Sequence, residues 1–187
     1  MTGTAVAVIN ASAIRHNFNR IKSAAVGCRI MAVIKANAYG HGLIETAQIL
    51  SNADGLAVTR VDEGAKLRMA GIRQPILVLE GCAELAEMEL AVEHDLELVV
   101  HDPSHFDMLD ALLNEKAVGI WLKLDTGMGR LGFEPKSLGA CLTRLKSCAA
   151  VKSDPRVMTH LACADDPNDQ TTLQQVRSFN AALGSFT

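Results

Sequence analysis

Ala32-Val33-Ile34-Lys35-Ala36-Asn37-Ala38-Tyr39-Gly40-His41-Gly42 decides the fold. Its first residues are apolar and β-branched, the mark of a buried strand. A lysine stands at the C-terminal end of that strand, and a loop with Asn37, Tyr39 and two glycines follows at once. A lysine facing a cavity at such a point sheds hydration. That favours the neutral, nucleophilic amine needed to form a Schiff base with a carbonyl. Strand C-terminal ends are also where α/β barrels build their active sites. Gly42 opens a helix whose N-terminus favours an anion, and Tyr39 and Gly40 offer a phenol and close backbone to a phosphate.

Outward from this stretch, strand and helix patterns alternate. Thr4 to Asn10 reads as a first strand. Asn10 or Ser12 caps a helix with Ile14, Phe18 and Ile21 on one face. Arg29 to Lys35 is the strand that delivers the lysine. Further strands are expected over Gly55–Thr59, Pro75–Glu80, Leu96–His101, Val118–Leu124 and Arg156–Leu161. Helices are expected over Leu43–Leu50, Val61–Ala70, Glu84–His94, Ser104–Glu115, from Pro135 onward, and over Asp169–Leu183 with Gly184 as the stop. Short loops and almost continuously apolar strands predict a parallel sheet covered by helices. About six βα units are legible, whereas a closed (β/α)₈ barrel takes eight and about 250 residues. The pattern leaves two architectures: an incomplete barrel or an open sheet.

Composition narrows the classes. Hydrophobic residues make up 49% of the 187, ample for a core, and aromatics only 4%. A net charge of -3 gives no reason to expect nucleic acid or an anionic membrane as partner. No apolar run is long enough to span a bilayer, and Met1 to Asn10 lacks the pattern of a signal peptide, so a cytoplasmic location is expected. The five cysteines form no Cys-x-x-Cys pair and read as reduced, mostly buried small residues. The histidines have no metal-ligand spacing, so no metal is expected. No Gly-x-Gly-x-x-Gly follows a strand, and neither Gly-x-Ser-x-Gly nor a P-loop occurs.

Two more constellations join Lys35. In Trp121-Leu122-Lys123-Leu124-Asp125-Thr126-Gly127-Met128-Gly129-Arg130-Leu131-Gly132, a strand ends in Lys123 and Asp125, and a glycine-rich loop presents Arg130. A permanently charged arginine there holds an oxyanion or phenolate; a surface ion pair is the plainer alternative. Lys123, if it points into a barrel, needs a charge partner or loss of its charge. Thr159-His160-Leu161-Ala162 puts His160 at the next strand end, suited to stacking on a ring or to a structural role.

These stretches resemble the alanine racemase family, bacterial fold-type III enzymes that use pyridoxal 5′-phosphate (PLP). Ala32–Gly42 is similar to the family's PLP-attachment motif, Lys123–Gly132 to its second signature, and His160 falls at a third matching strand end. The resemblance spans essentially residues 1–187 and implies an incomplete PLP-binding (β/α)₈ TIM-type barrel. It implies that Lys35 carries PLP and moves the α-proton of alanine on one face. By the same resemblance Tyr39 contacts the phosphate. Arg130 binds the phenolic oxygen and lies near the substrate carboxylate, and His160 sits against the ring. Lys123 matches a lysine carbamylated in some members. Family members make D-alanine for peptidoglycan as homodimers, and they continue with two more barrel strands and a β-rich C-terminal domain. The strand within Met1–Asn10 would pack against that domain. The chain is therefore expected to be a partial barrel domain, inactive by itself because the opposite-face base is absent. A racemase of another amino acid and a non-catalytic PLP-binding barrel protein are the alternatives.

Overall fold

The computed structural model describes residues 5–112 and 117–184. Helix α1 (Ala11–Ala24) starts at Asn10, whose Oδ1 accepts from the N–H groups of Ser12 and Ala13 at 3.0 and 3.1 Å. Such a cap satisfies backbone donors that the first turn leaves without partners. Among the described residues six strands follow: β1 (Met31–Val33), β2 (Gly55–Val58), β3 (Ile76–Val78), β4 (Glu97–Val100), β5 (Gly119–Lys123) and β6 (Arg156–Met158). Helices α2 (Leu43–Ile49), α3 (Val61–Met69), α4 (Leu85–Glu93), α5 (Ser104–Ala111) and α6 (Leu138–Lys146) alternate with them, and α7 (Thr171–Gly184) comes last. Pro135 opens a short 3₁₀ turn, Pro135–Ser137, that runs into α6.

The strands pair in parallel and in strict chain order. Crossovers between parallel strands are right-handed. Adding each new strand on the same side therefore puts every connecting helix on one face. An open doubly wound sheet has to reverse its order to cover both faces, and this one does not. The sheet is the wall of an incomplete α/β barrel. β1 bonds only to β2 and β6 only to β5, which leaves two edges unjoined among the described residues.

The two faces differ accordingly. Toward the helices, Leu56, Val78, Leu98 and Leu122 pack with Leu67, Met88, Leu109 and Leu145 in one continuous core. On the concave face a thin layer of Ala57, Leu77 and Val99 meets Met31, Leu79, Trp121 and Met158. Below that layer, at the N-terminal ends of the strands, Glu97 accepts from Trp121 Nε1 at 2.6 Å and from Arg156 Nη1 at 2.7 Å. The Arg156 guanidinium lies 5.2 Å from the Trp121 ring centroid. A cavity of about 250 Å³ opens beside this cluster, lined in part by Arg29, Asp54 and Pro75. The concave side thus carries a polar cluster at the N-terminal ends of the strands, opposite the end where they deliver their C-terminal residues.

Several expectations are corrected. Residues 5–10 form no strand, and residues 1–4 of the strand expected within Met1–Asn10 lie outside the described residues. A strand needs a neighbour's backbone, and among the described residues none pairs with this segment. Ile21 is exposed although Phe18 on the same helix is buried. The strands are shorter than their apolar runs, so Lys35 and His160 lie beyond β1 and β6 rather than inside them. The helix expected to reach Glu115 is described only to Ala111, and residues 113–116 lie outside the described set. Cys82 and Cys141 are buried, but Cys28 is exposed.

Candidate active site

The loop expected after the lysine is a left-handed helical turn. Ala36, Asn37, Ala38 and Tyr39 have φ of 52, 55, 54 and 52° in succession. Each L-residue there costs about 1–2 kcal/mol relative to the right-handed form, so the surroundings must hold it. Ala38 N donates to Ile34 O at 2.9 Å, and Gly42 N to Asn37 O at 3.0 Å. The Asn37 side chain accepts from Leu43 N at 2.9 Å, which caps α2. The Glu63 carboxylate, from α3, accepts from Asn37 N at 3.4 Å and from Thr59 N at 3.0 Å, tying the turn to the end of β2. The turn leaves Lys35 half-buried at its start and Tyr39 exposed at its end.

The loop after β5 is built on Asp125. Its carboxylate accepts from the N–H groups of Gly127, Met128 and Arg130 at 2.9, 2.8 and 2.9 Å. Partial burial works against the charge, yet the N–H groups of Gly127, Gly129, Arg130 and Met128 together hold the carboxyl below its ordinary value. Phe133 closes the loop, donating to Lys123 O and accepting from Asp125 N, both at 2.9 Å. Gly132 is required there: with φ at 131°, a Cβ would sit 2.6 Å from Asp125 N. The loop carries Arg130 on its exposed side.

Lys123, the last residue of β5, is 7% exposed. No carboxylate pairs with it among the described residues. Loss of hydration and then the charge of Arg130 push its pKa down; Asp125 pulls the other way, and Lys35 adds a smaller push down. His160, in the loop after β6, is pushed down likewise by desolvation and by Lys123, Arg130 and Lys35. Lys35, Lys123, Arg130 and His160 all lie at the C-terminal ends of β1, β5 and β6, the mouth of the barrel, and the charges of Lys35 and Arg130 act on both Lys123 and His160. Tyr39 lies at the same end of the strands, on the turn that begins with Lys35.

One contributor escaped sequence reading. Gln175 of α7 is 1% exposed and bonds to both strand-end loops. Its signal was present: it shares a helical stripe with Phe179 and Ala182, at i+4 and i+7.

Known proteins similar to this chain include alanine racemases. The family model described as alanine racemase, N-terminal domain, matches residues 9–187. The alanine racemase of Shewanella piezotolerans is 42% identical over 177 residues, 95% of this chain and 49% of that protein. The crystal structure of biosynthetic alanine racemase from Pseudomonas aeruginosa matches with a TM-score of 0.87 at 42% identity, over 94% of this chain and 49% of that one. The crystal structure of alanine racemase from E. faecalis matches at 0.86 and 31% identity, over 94% and 49%. The chain spans about half the length of the curated relatives it matches. A barrel wall with its cations gathered at the strand ends and these matches along nearly its whole length give one conclusion: the chain belongs to the alanine racemase family.

Proposed function

We propose that this chain forms the lysine-bearing part of an alanine racemase site, which holds PLP and acts on alanine to supply D-alanine for peptidoglycan. The observation that carries the proposal is the convergence of Lys35, Lys123, Arg130 and His160 at one mouth of the barrel, in a chain of this family. These residues fit an anionic cofactor. The Asp125 carboxylate, whose charge acts on Lys123, is already engaged by backbone N–H groups. A phosphate and a phenolate supply the negative charge that these gathered cations otherwise lack.

In this reading Lys35 Nζ anchors the cofactor, Tyr39 contacts its phosphate, and His160 lies against its ring. Arg130 holds the phenolic oxygen and the substrate carboxylate. Bound PLP supplies the electron withdrawal that acidifies the α-proton of the amino acid. The Lys35 amine holds and moves that proton on one face of Cα. Racemisation needs a second proton carrier on the opposite face. That group belongs, in this proposal, to the part of the relatives' length that this chain does not span, brought in across a homodimer. The lowered pKa of Lys123 raises the share of neutral amine able to add CO₂; the carbamate so formed, with loss of one proton, is an anion that pairs with Arg130.

The test is covalent capture. Purified chain treated with PLP and borohydride is expected to gain one cofactor mass, located on the peptide holding Lys35 and lost in Lys35→Ala. The same polypeptide is expected not to interconvert L- and D-alanine. Cofactor mass scattered over surface lysines overturns the assignment of Lys35, and racemisation by the 187 residues alone overturns the division of labour.

A further inference from the structure

We propose that Gln175 is a positioning residue, a buried carboxamide that locks together the two loops carrying Arg130 and His160. The proposal rests on reading this barrel mouth as the cofactor and substrate site. Direct pairing of β5 with β6 ends where Leu124 N donates to Met158 O at 2.9 Å. Beyond it the two chains diverge into separate loops, and Gln175 reaches between them from α7. Its Oε1 accepts from Ala162 N at 2.8 Å. Its Nε2 donates to His160 O at 2.9 Å and to Thr126 Oγ1 at 3.3 Å.

The bonds have one consistent direction. Thr159 Oγ1 donates to Leu124 O at 3.0 Å, a group that only accepts. The 2.8 Å contact between the two threonine hydroxyls is then donated by Thr126 to Thr159. Thr126 Oγ1 is left to accept from Gln175. Rotating the amide by half a turn would set its oxygen against the His160 carbonyl and its N–H₂ against the Ala162 N–H. Only one orientation is satisfied, and both Nε2 protons are used. The side-chain stem also lies under the turn that leads to Arg130: a Cβ on Gly127 would stand 3.6 Å from Gln175 Cγ. A leucine or methionine would fill the same volume between α7 and the sheet. An amide there instead couples the backbone of His160 and Ala162 to the Thr126 hydroxyl in the loop that leads to Arg130.

The test compares Gln175→Met, which keeps the volume and loses every polar bond, with Gln174→Met on the exposed face of the same helix. The readout is the titration of the His160 imidazole by proton NMR in the cofactor-free chain. In the parent and in Gln174→Met it is expected below about 6.5. In Gln175→Met it is expected to rise toward that value as the loop moves away from Lys123, Arg130 and Lys35. PLP affinity, read from the absorbance titration, is expected to fall on the order of tenfold. An unchanged His160 titration in a folded Gln175→Met protein overturns the proposal, because a residue that only fills the core would leave it unmoved. Where Gln175→Met does not fold, hydrogen exchange of the Ala162 amide in the parent chain decides. Slow exchange supports the lock, and exchange at open-loop rates overturns it. Failure of the parent to bind PLP counts against the proposed cofactor alone, since the imidazole titration and amide exchange are read without it.

Discussion

At the scale of single residues the site is an excess of positive charge held in partial burial. Lys123 shows the consequence most directly. Its pKa is lowered in the folded chain by desolvation, then by Arg130 and Lys35. The folded state therefore binds its proton less tightly than the unfolded state does. Below the lowered value Lys123 costs stability in full. The cost disappears as pH rises through that value toward the ordinary 10.5. Lys123→Met is expected to stabilise the cofactor-free chain by about 1 kcal/mol near neutral pH. The advantage should shrink as the solution is made alkaline, measured by urea unfolding across that range. A gap independent of pH would mean that Lys123 is not a penalised cation. Lys123 is legible in the sequence because a strand-end lysine in a motif is conspicuous. Gln175 is not, because one glutamine in a helix with several polar neighbours differs from the others only in which way it faces.

At the scale of elements, the apolar runs located every strand from β1 to β6 but overstated their lengths. Backbone pairing, not hydropathy, ends a strand: at Ile34 the backbone turns to φ -125°, ψ 27°, although the residue stays buried. The left-handed turn that follows was not legible. Two of its four residues are alanine, and nothing in Ala-Asn-Ala-Tyr requires a positive φ. Neighbouring elements impose it, through Glu63 from α3 and the cap on α2. Ala36 is exposed and held at φ 52°, so it bears strain without packing. Ala36→Gly is expected to raise stability by about 0.5–1 kcal/mol, the strain relieved less the larger entropy of an unfolded glycine. Asn37→Ala, which removes the bond to Leu43 N and a side chain tolerant of this conformation, is expected to lose about 1 kcal/mol. Thermal melts of the two variants should move in opposite directions. A shift of the same sign in both would show that the turn is not strained.

At the scale of the whole molecule, six parallel strands in chain order make a wall with two edges unjoined among the described residues. The βα pattern of the sequence allows this as one of two architectures; strand order, which no single stretch encodes, decides between them. Along β1, Ile34 N donates to Ala57 O at 2.8 Å, so by the alternation of parallel pairing the N–H of Val33 points away from β2 toward the open edge. Val33 is also 44% exposed. An apolar strand edge with unpaired donors is a template for another strand. The isolated chain is therefore expected to self-associate at micromolar concentrations, seen as a concentration-dependent sedimentation coefficient. Val33→Pro removes the outward donor without touching the bonds to β2, a position where a sheet tolerates proline. It should shift the association to higher concentration while leaving the far-ultraviolet circular dichroism unchanged. A parent chain that stays monomeric throughout would mean that the edges are already covered. Association unaltered in a folded Val33→Pro would place the contact on another surface.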